Sequence, residues 1–321
     1  MMDRRRLLAA PIALASAGAA AQGFPNRPIR FVVPWAAGGA PDITARTLAS
    51  HLADRLGQAV VVENRSGASG NIGMDFVAKA APDGHTLALV TWNNAVTGRF
   101  LEANLTYAFD TDFALITVLA ELHNILLVPA SLAARDVGGL IALAKARPGG
   151  LNYATTAIGS VSHLGIELLM RLAGIRLEQV QYRGAQQAQT DVARGDVSMF
   201  LSQEAGTKAL IEAGQTRALA VASPARSPSS PNVPTFAEQG LPGLEAMSFF
   251  SLAAPAATPQ PVLDRLQREA AAVLALPEVR ERLEGVGAVP VGSTPAEGRA
   301  RVAREVARWG GIIREAGIHA S

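Results

Sequence analysis

The chain has 321 residues, 49% hydrophobic and 17% charged, enough to bury a substantial core and to form two domains, which excludes a disordered chain. It has no cysteine, which excludes disulfides, thiolate metal sites and cysteine nucleophiles. Charge is nearly balanced, with 29 basic and 27 acidic residues, so no basic surplus points to nucleic acid or an anionic membrane.

The N-terminus carries Arg4-Arg5-Arg6, then an apolar run from Leu7 that ends in Ala19-Ala20-Ala21. That is the pattern of a cleaved export signal over residues 1–21, with the mature protein starting near Gln22. The run contains Pro11 and falls short of the roughly 20 apolar residues a membrane span needs. The arginine string permits the twin-arginine route as well as general secretion; both lead out of the cytoplasm, to the periplasm. Cleavage would remove three of 29 basic and one of 27 acidic residues, leaving 26 of each. No later window is apolar enough to span a bilayer.

Strand, glycine- or serine-bearing turn and amphipathic helix then recur, the signature of α/β units around parallel sheets. Residues 29–34 predict a strand, 36–40 a turn, and Leu48, Leu52 and Leu56 a helix that Gly57 ends. A strand over 60–62 leads through the 67–73 loop into a short helix ending near Lys79, and Pro82-Asp83-Gly84 turns the chain into a strand over 86–90. Further strands are predicted at 126–128 and from Leu151, and further helices over 140–146 and along Leu164, Leu168 and Leu172, the last closed by Gly174. Residues 223–234, rich in serine and proline, read as a linker. Thr294-Pro295-Ala296-Glu297 forms a capping box for a final helix to about Glu315.

A helix N-terminus offers unpaired N–H groups and about half a positive charge, so a glycine-rich turn feeding a helix is an anion seat. Two occur here. In the first, Trp35 to Asp42, Trp35, Ala36 and Ala37 precede Gly38 and Gly39, whose bare backbone allows close approach of a ligand. The second, Thr155, Thr156, Ala157, Ile158, Gly159 and Ser160, adds hydroxyl donors. Charge-assisted hydrogen bonds contribute about 1.5–3 kcal/mol each, so three or four neutral donors could hold a carboxylate without arginine. Ser160 and His163 lie one helical turn apart; such a pair permits a nucleophile–base reading but more often caps a helix, and His163 is kept with the second seat as a binding residue. No G-x-S-x-G elbow, Walker loop or H-E-x-x-H string occurs, and the five histidines lack ligand spacing. No enzyme, metal or cofactor is therefore expected.

Six collinear strings, PIRFVVPWAAGGAPDITAR, VVVENRSGASGNIG, APDGHTL, YATTAIGSVSHL, QYRGAQQAQTDVARGDV and NVPTFAEQGLPG, together resemble the substrate-binding proteins of tripartite tricarboxylate transporters, the Bug family. The resemblance covers nearly the whole mature chain. It implies a type II periplasmic-binding-protein fold, two α/β lobes with crossing hinge strands. It also implies a small carboxylate gripped by the two strand-to-helix loops, with Thr91, Trp92, Asn93, Tyr182, Gly184 and Phe249 completing the pocket. Four of the few aromatic residues, Trp35, Trp92, Phe249 and Phe250, fall in or beside the segments so implied, and they suggest a ligand with one carboxylate and an apolar or aromatic body. Ala157, Gln181, Ser198 and Phe249-Phe250 depart from the family pattern and leave the ligand open. Lobe 1 is expected over 22–122 plus 228–321 and lobe 2 over 123–227. The implied partners are membrane permease subunits, the protein itself being a monomer. A ligand-sensing co-receptor for a sensor kinase is the alternative that uses the same trap.

Overall fold

The computed structural model describes residues 23–318, so the expected export signal lies outside the described residues. Ile29–Val33 (β1) is almost wholly buried, and its next element, helix α1 (Ala40–Leu56), takes Pro41 in its first turn and stops at Gly57, φ 71°. Gly57 fits there because only glycine enters that left-handed region without a Cβ penalty. Leu48, Leu52 and Leu56 face the core as predicted. Val60–Asn64 (β2), helix α2 (Asn71–Ala78) and Thr86–Thr91 (β3) follow.

The long strand β4 (Phe113–Leu122) closes the first half of this sheet; after the single residue His123 the chain enters β5 (Asn124–Pro129) of a second sheet. That sheet collects helix α3 (Val137–Ala146), β6 (Asn152–Thr155), α4 (Val161–Ala173), β7 (Glu178–Gln181), α5 (Ala185–Arg194), β8 (Met199–Gln203) and β9 (Thr216–Val221). The chain returns through β10 (Ser248–Pro255), α6 (Gln260–Leu274), α7 (Pro277–Glu284), β11 (Ala288–Pro290) and α8 (Pro295–Glu315). The strand orders are β11-β4-β10-β3-β1-β2 and β7-β6-β8-β5-β9. β1 runs parallel to β2 and β3, and β6 parallel to β7 and β8, while β10 and β5 lie antiparallel to their neighbours. These are the two α/β lobes of the expected fold, linked by the crossings at His123 and between β9 and β10.

The capping box is present: the Thr294 hydroxyl accepts from the Glu297 N–H and the Glu297 carboxylate accepts from the Thr294 N–H. Leu164 and Leu168 are buried but Leu172 is 43% exposed. Each four-residue step advances 400°, so the row drifts about 40° per step, and Leu169 and Ala173 take the inner face instead. The 223–234 stretch is more than a linker, since the Ser227 hydroxyl donates to Glu204 at 2.5 Å and the Pro234 carbonyl accepts from the Val221 N–H at 2.9 Å. One core packs α1, α6 and α7 on the first sheet, and a larger one runs from the other face through α8 into the second lobe. Among the described residues no helix is long and apolar enough to cross a membrane.

Candidate ligand-binding site

The first loop leaves β1 at Pro34 and is tied by its own aspartate. The Asp42 carboxylate accepts from the Gly38 N–H at 3.0 Å, from Arg46 Nε at 3.0 Å and from Asn64 Nδ2 at 2.9 Å, and Asn64 also donates to the Trp35 carbonyl at 3.0 Å. Asp42 thus shapes the seat rather than facing it. The residue that needs glycine is Gly38, at φ 90°; Gly39 is extended, and a Cβ there would meet only Pro41 Cδ at 3.6 Å. Burial pushes the Asp42 carboxyl up, but the bonds from Arg46, Gly38 and Asn64 outweigh it and hold it below its ordinary value. A carboxyl with a depressed folded value stabilises the protein above its unfolded pKa, about 3.9, and loses that contribution as pH falls through the folded value. Asp42→Asn should therefore cost about 1–3 kcal/mol at neutral pH, with the gap to the unmodified protein closing in acid. Urea titrations at a series of pH values measure both, and equal midpoints at pH 7 would refute the role.

The second loop leaves β6 and is tied by His163. The Gly159 N–H donates to His163 Nδ1 at 3.0 Å, so the neutral ring carries its proton on Nε2, which faces Glu167 at 3.6 Å. Glu167 also accepts from the Tyr153 hydroxyl at 3.0 Å, and burial and Glu167 together push that phenol up. The Ser160 hydroxyl donates to the Ala157 carbonyl and caps α4 by accepting from the His163 N–H. Ser160 and His163 are therefore a helix cap and a loop brace, with no hydrogen bond between the serine hydroxyl and the imidazole.

Between the loops, Trp92 and Asn93 part ways. Residues Asn93–Thr97 form one π-helical turn after β3, a widening common at functional sites. Asn93 opens into two adjoining cavities of about 550 and 380 Å³, and Thr156 of the second loop lines both from the opposite lobe. Neither side chain bonds to another described residue, which leaves an amide and a hydroxyl confronted across the cleft. Trp35, Asn71, Leu101 and Glu102 border the larger cavity; Ser160, Gln186, Gln189 and Ser202 border the smaller. No lysine or arginine lines either one, and Glu102 is their single charged side chain.

Of the residues singled out from sequence, Trp35, Asn93, Thr156 and Ser160 meet in these cavities. Ala36, Ala37, Gly38 and Gly39 form the exposed rim loop beside Trp35. Thr91, Thr155, Gly159 and His163 are buried behind the lining. The Tyr182 hydroxyl donates to Asp191 at 3.0 Å, its pKa pushed up to about 12 by burial and that carboxylate. Gly184 precedes α5, whose Ala185 and Gln186 reach the smaller cavity. Trp92, Phe249 and Phe250 are core residues, with Arg301 over the Phe249 ring at 5.1 Å. Three of the four aromatics expected at the pocket thus lie in the core, while Trp35 borders the larger cavity and Phe200, which the sequence reading did not single out, borders the smaller. Asn124, Gln189, Ser202 and Gln203 escaped the sequence reading. Gln186 and Gln189 stand within the QYRGAQQAQTDVARGDV string, whereas Ser202 and Gln203 end a strand with no motif.

Residues 44–318 match the family model described as the tripartite tricarboxylate transporter family receptor. Protein BugT of Bordetella pertussis is 37% identical over 322 residues, 98% of this chain and 99% of that protein. Rpa4515 of R. palustris, solved with adipate, is 36% identical, with a TM-score of 0.79 over 93% of this chain and 100% of that one. MatC from Rhodopseudomonas palustris, solved with malate, is 32% identical, with a TM-score of 0.74 over 90% and 100%. The protein thus belongs to the tripartite tricarboxylate transporter receptor family, the solute-binding Bug proteins.

Proposed function

We propose that this chain is exported to the periplasm, captures a small organic carboxylate between its lobes and delivers it to the permease subunits of a tripartite transporter. It does so as a monomer, without catalysis, metal or cofactor. The observation that carries the reading is the pair Asn93 and Thr156, free donors from opposite lobes at the junction of two cavities. A ligand there bridges the lobes, so binding energy becomes closure. Neutral amides and hydroxyls can hold a carboxylate because an ionised acceptor strengthens each hydrogen bond. The adipate and malate held by the two relatives above make linear diacids of four to six carbons the first ligands to try. We place the lobe division at His123 and in the segment between β9 and β10.

Thermal unfolding of the mature protein, refolded to strip any bound ligand, tests this against adipate, malate, citrate, benzoate and neutral sugars. At 100 times its Kd a ligand stabilises the native state by about 2.7 kcal/mol. Stabilisation by one or more acids and by none of the sugars is the expected result. Stabilisation by a sugar alone would overturn the reading.

A further inference from the structure

The C-terminal helix α8 touches neither cavity, yet it grips the turn that supplies Asn93. Trp92 Nε1 donates to Glu305 Oε2 at 3.0 Å, and Trp309 Nε1 donates to the same oxygen at 2.7 Å. The two indoles meet edge to face, 5.8 Å apart at 85°, and are almost wholly buried. One turn on, α8 lies so close to the next segment that a Cβ at Gly310 would come within 2.5 Å of Phe100 Cζ. Phe100 belongs to the helical turn Gly98–Leu101, whose Gly98 and Leu101 line the larger cavity. The stretch from Trp92 to Leu101 therefore has α8 on one side and the ligand cavity on the other. Glu315, at the far end of α8, pairs with Arg171 of α4 in the second lobe.

We infer that Glu305 is a positioning residue for the ligand: by holding both indoles through one carboxylate oxygen, it fixes the π-helical turn that presents Asn93 and Asn94. The inference rests on the cavities beside Asn93 being the ligand site. A π-helical turn has a wide, irregular ladder, so its register depends on outside contacts more than that of an α-helix. Glu305 supplies such a contact at Trp92, the residue immediately before Asn93. Two buried indole N–H groups would otherwise lack an acceptor, and the turn would have to shift to bring one of them to water.

The test compares the unmodified protein with Glu305→Ala, Glu305→Gln and Trp92→Phe, using amide exchange without ligand and calorimetric titration with adipate and malate. Glu305→Ala should speed exchange over 93–101 at least tenfold, leave 161–168 unchanged and weaken binding about tenfold. Glu305→Gln keeps a carbonyl acceptor and should recover most of that affinity. Trp92→Phe, which keeps the ring packing but loses the bond, should repeat the Glu305→Ala effect and serves if the alanine variant does not fold. Exchange and affinity unchanged in both Glu305→Ala and Trp92→Phe would overturn the inference. A uniform rise in exchange along the whole chain would do so too, since it marks a residue needed only for stability. Failure of the unmodified protein to bind either acid counts against those ligands alone; the exchange arm then decides whether Glu305 holds the turn.

Discussion

Gly159→Val should abolish ligand binding while each lobe stays folded. Gly159 sits at φ 71°, a region that costs a non-glycine residue about 1–2 kcal/mol, and more when it is β-branched. A Cβ there would lie 1.8 Å from Leu101 Cδ1, and the two residues belong to opposite lobes. The new side chain would therefore wedge the cleft at the edge of the larger cavity, which Leu101 borders. Leu101 is nine-tenths buried, so its escape by rotation is limited. On the proposed capture of ligand between closed lobes, strain and wedge together cost more than about 2.7 kcal/mol, a hundredfold in affinity. Calorimetry gives the affinity and circular dichroism the fold. Gly159→Ala combined with Leu101→Ala should bind better than Gly159→Ala alone, since the smaller partner clears the wedge. Binding by Gly159→Val at the unmodified affinity would show that the lobes do not approach here when ligand is held.

Local chemistry made part of this molecule legible in the sequence. Turns and caps leave marks: Gly57 and Gly174 end helices in the left-handed region, and Thr294 with Glu297 opens one. Strands β4 and β10 went unread because FALITVLAEL and SFFSLAAP are mostly apolar runs, buried on both faces and without a period to detect. The aromatic residues misled for a related reason. The family resemblance placed Trp92 with Asn93 in the pocket, but the π-helical turn sends the indole back toward Glu305 and the amide forward into the cavities. Gln189 and Ser202 come together only because α5 packs beside β8, where the amide donates to the hydroxyl at 2.9 Å. No spacing along the chain encodes that meeting. Gly38 and Gly39 were indistinguishable as letters, and only the backbone angles separate the constrained residue from its unconstrained neighbour.

Asn93→Asp should weaken carboxylate binding at least a hundredfold with little change in stability. The substitution keeps the side chain's shape but replaces two N–H donors with an acceptor-only carboxylate. Asn93 is half-buried and its side chain makes no hydrogen bond to another described residue, while its backbone bond from the Gly98 N–H is kept by the substitution, so the fold loses no internal partner. A carboxylate ligand, in contrast, loses a charge-assisted bond of about 1.5–3 kcal/mol and gains a like charge beside it. No lysine or arginine lines either cavity to absorb that charge. Asn93→Ala removes the donor without adding the charge and should fall between, at about tenfold, which separates hydrogen bonding from repulsion. Thr156→Val removes the facing hydroxyl from the other lobe at nearly constant volume. If both groups hold the same carboxylate, Asn93→Ala and Thr156→Val together should cost less or more than their separate effects added, with a coupling of about 0.5 kcal/mol or greater. Strict additivity would mean that they hold different ends of the ligand. Affinity in Asn93→Asp equal to that of the unmodified protein would place the acid elsewhere in the cleft.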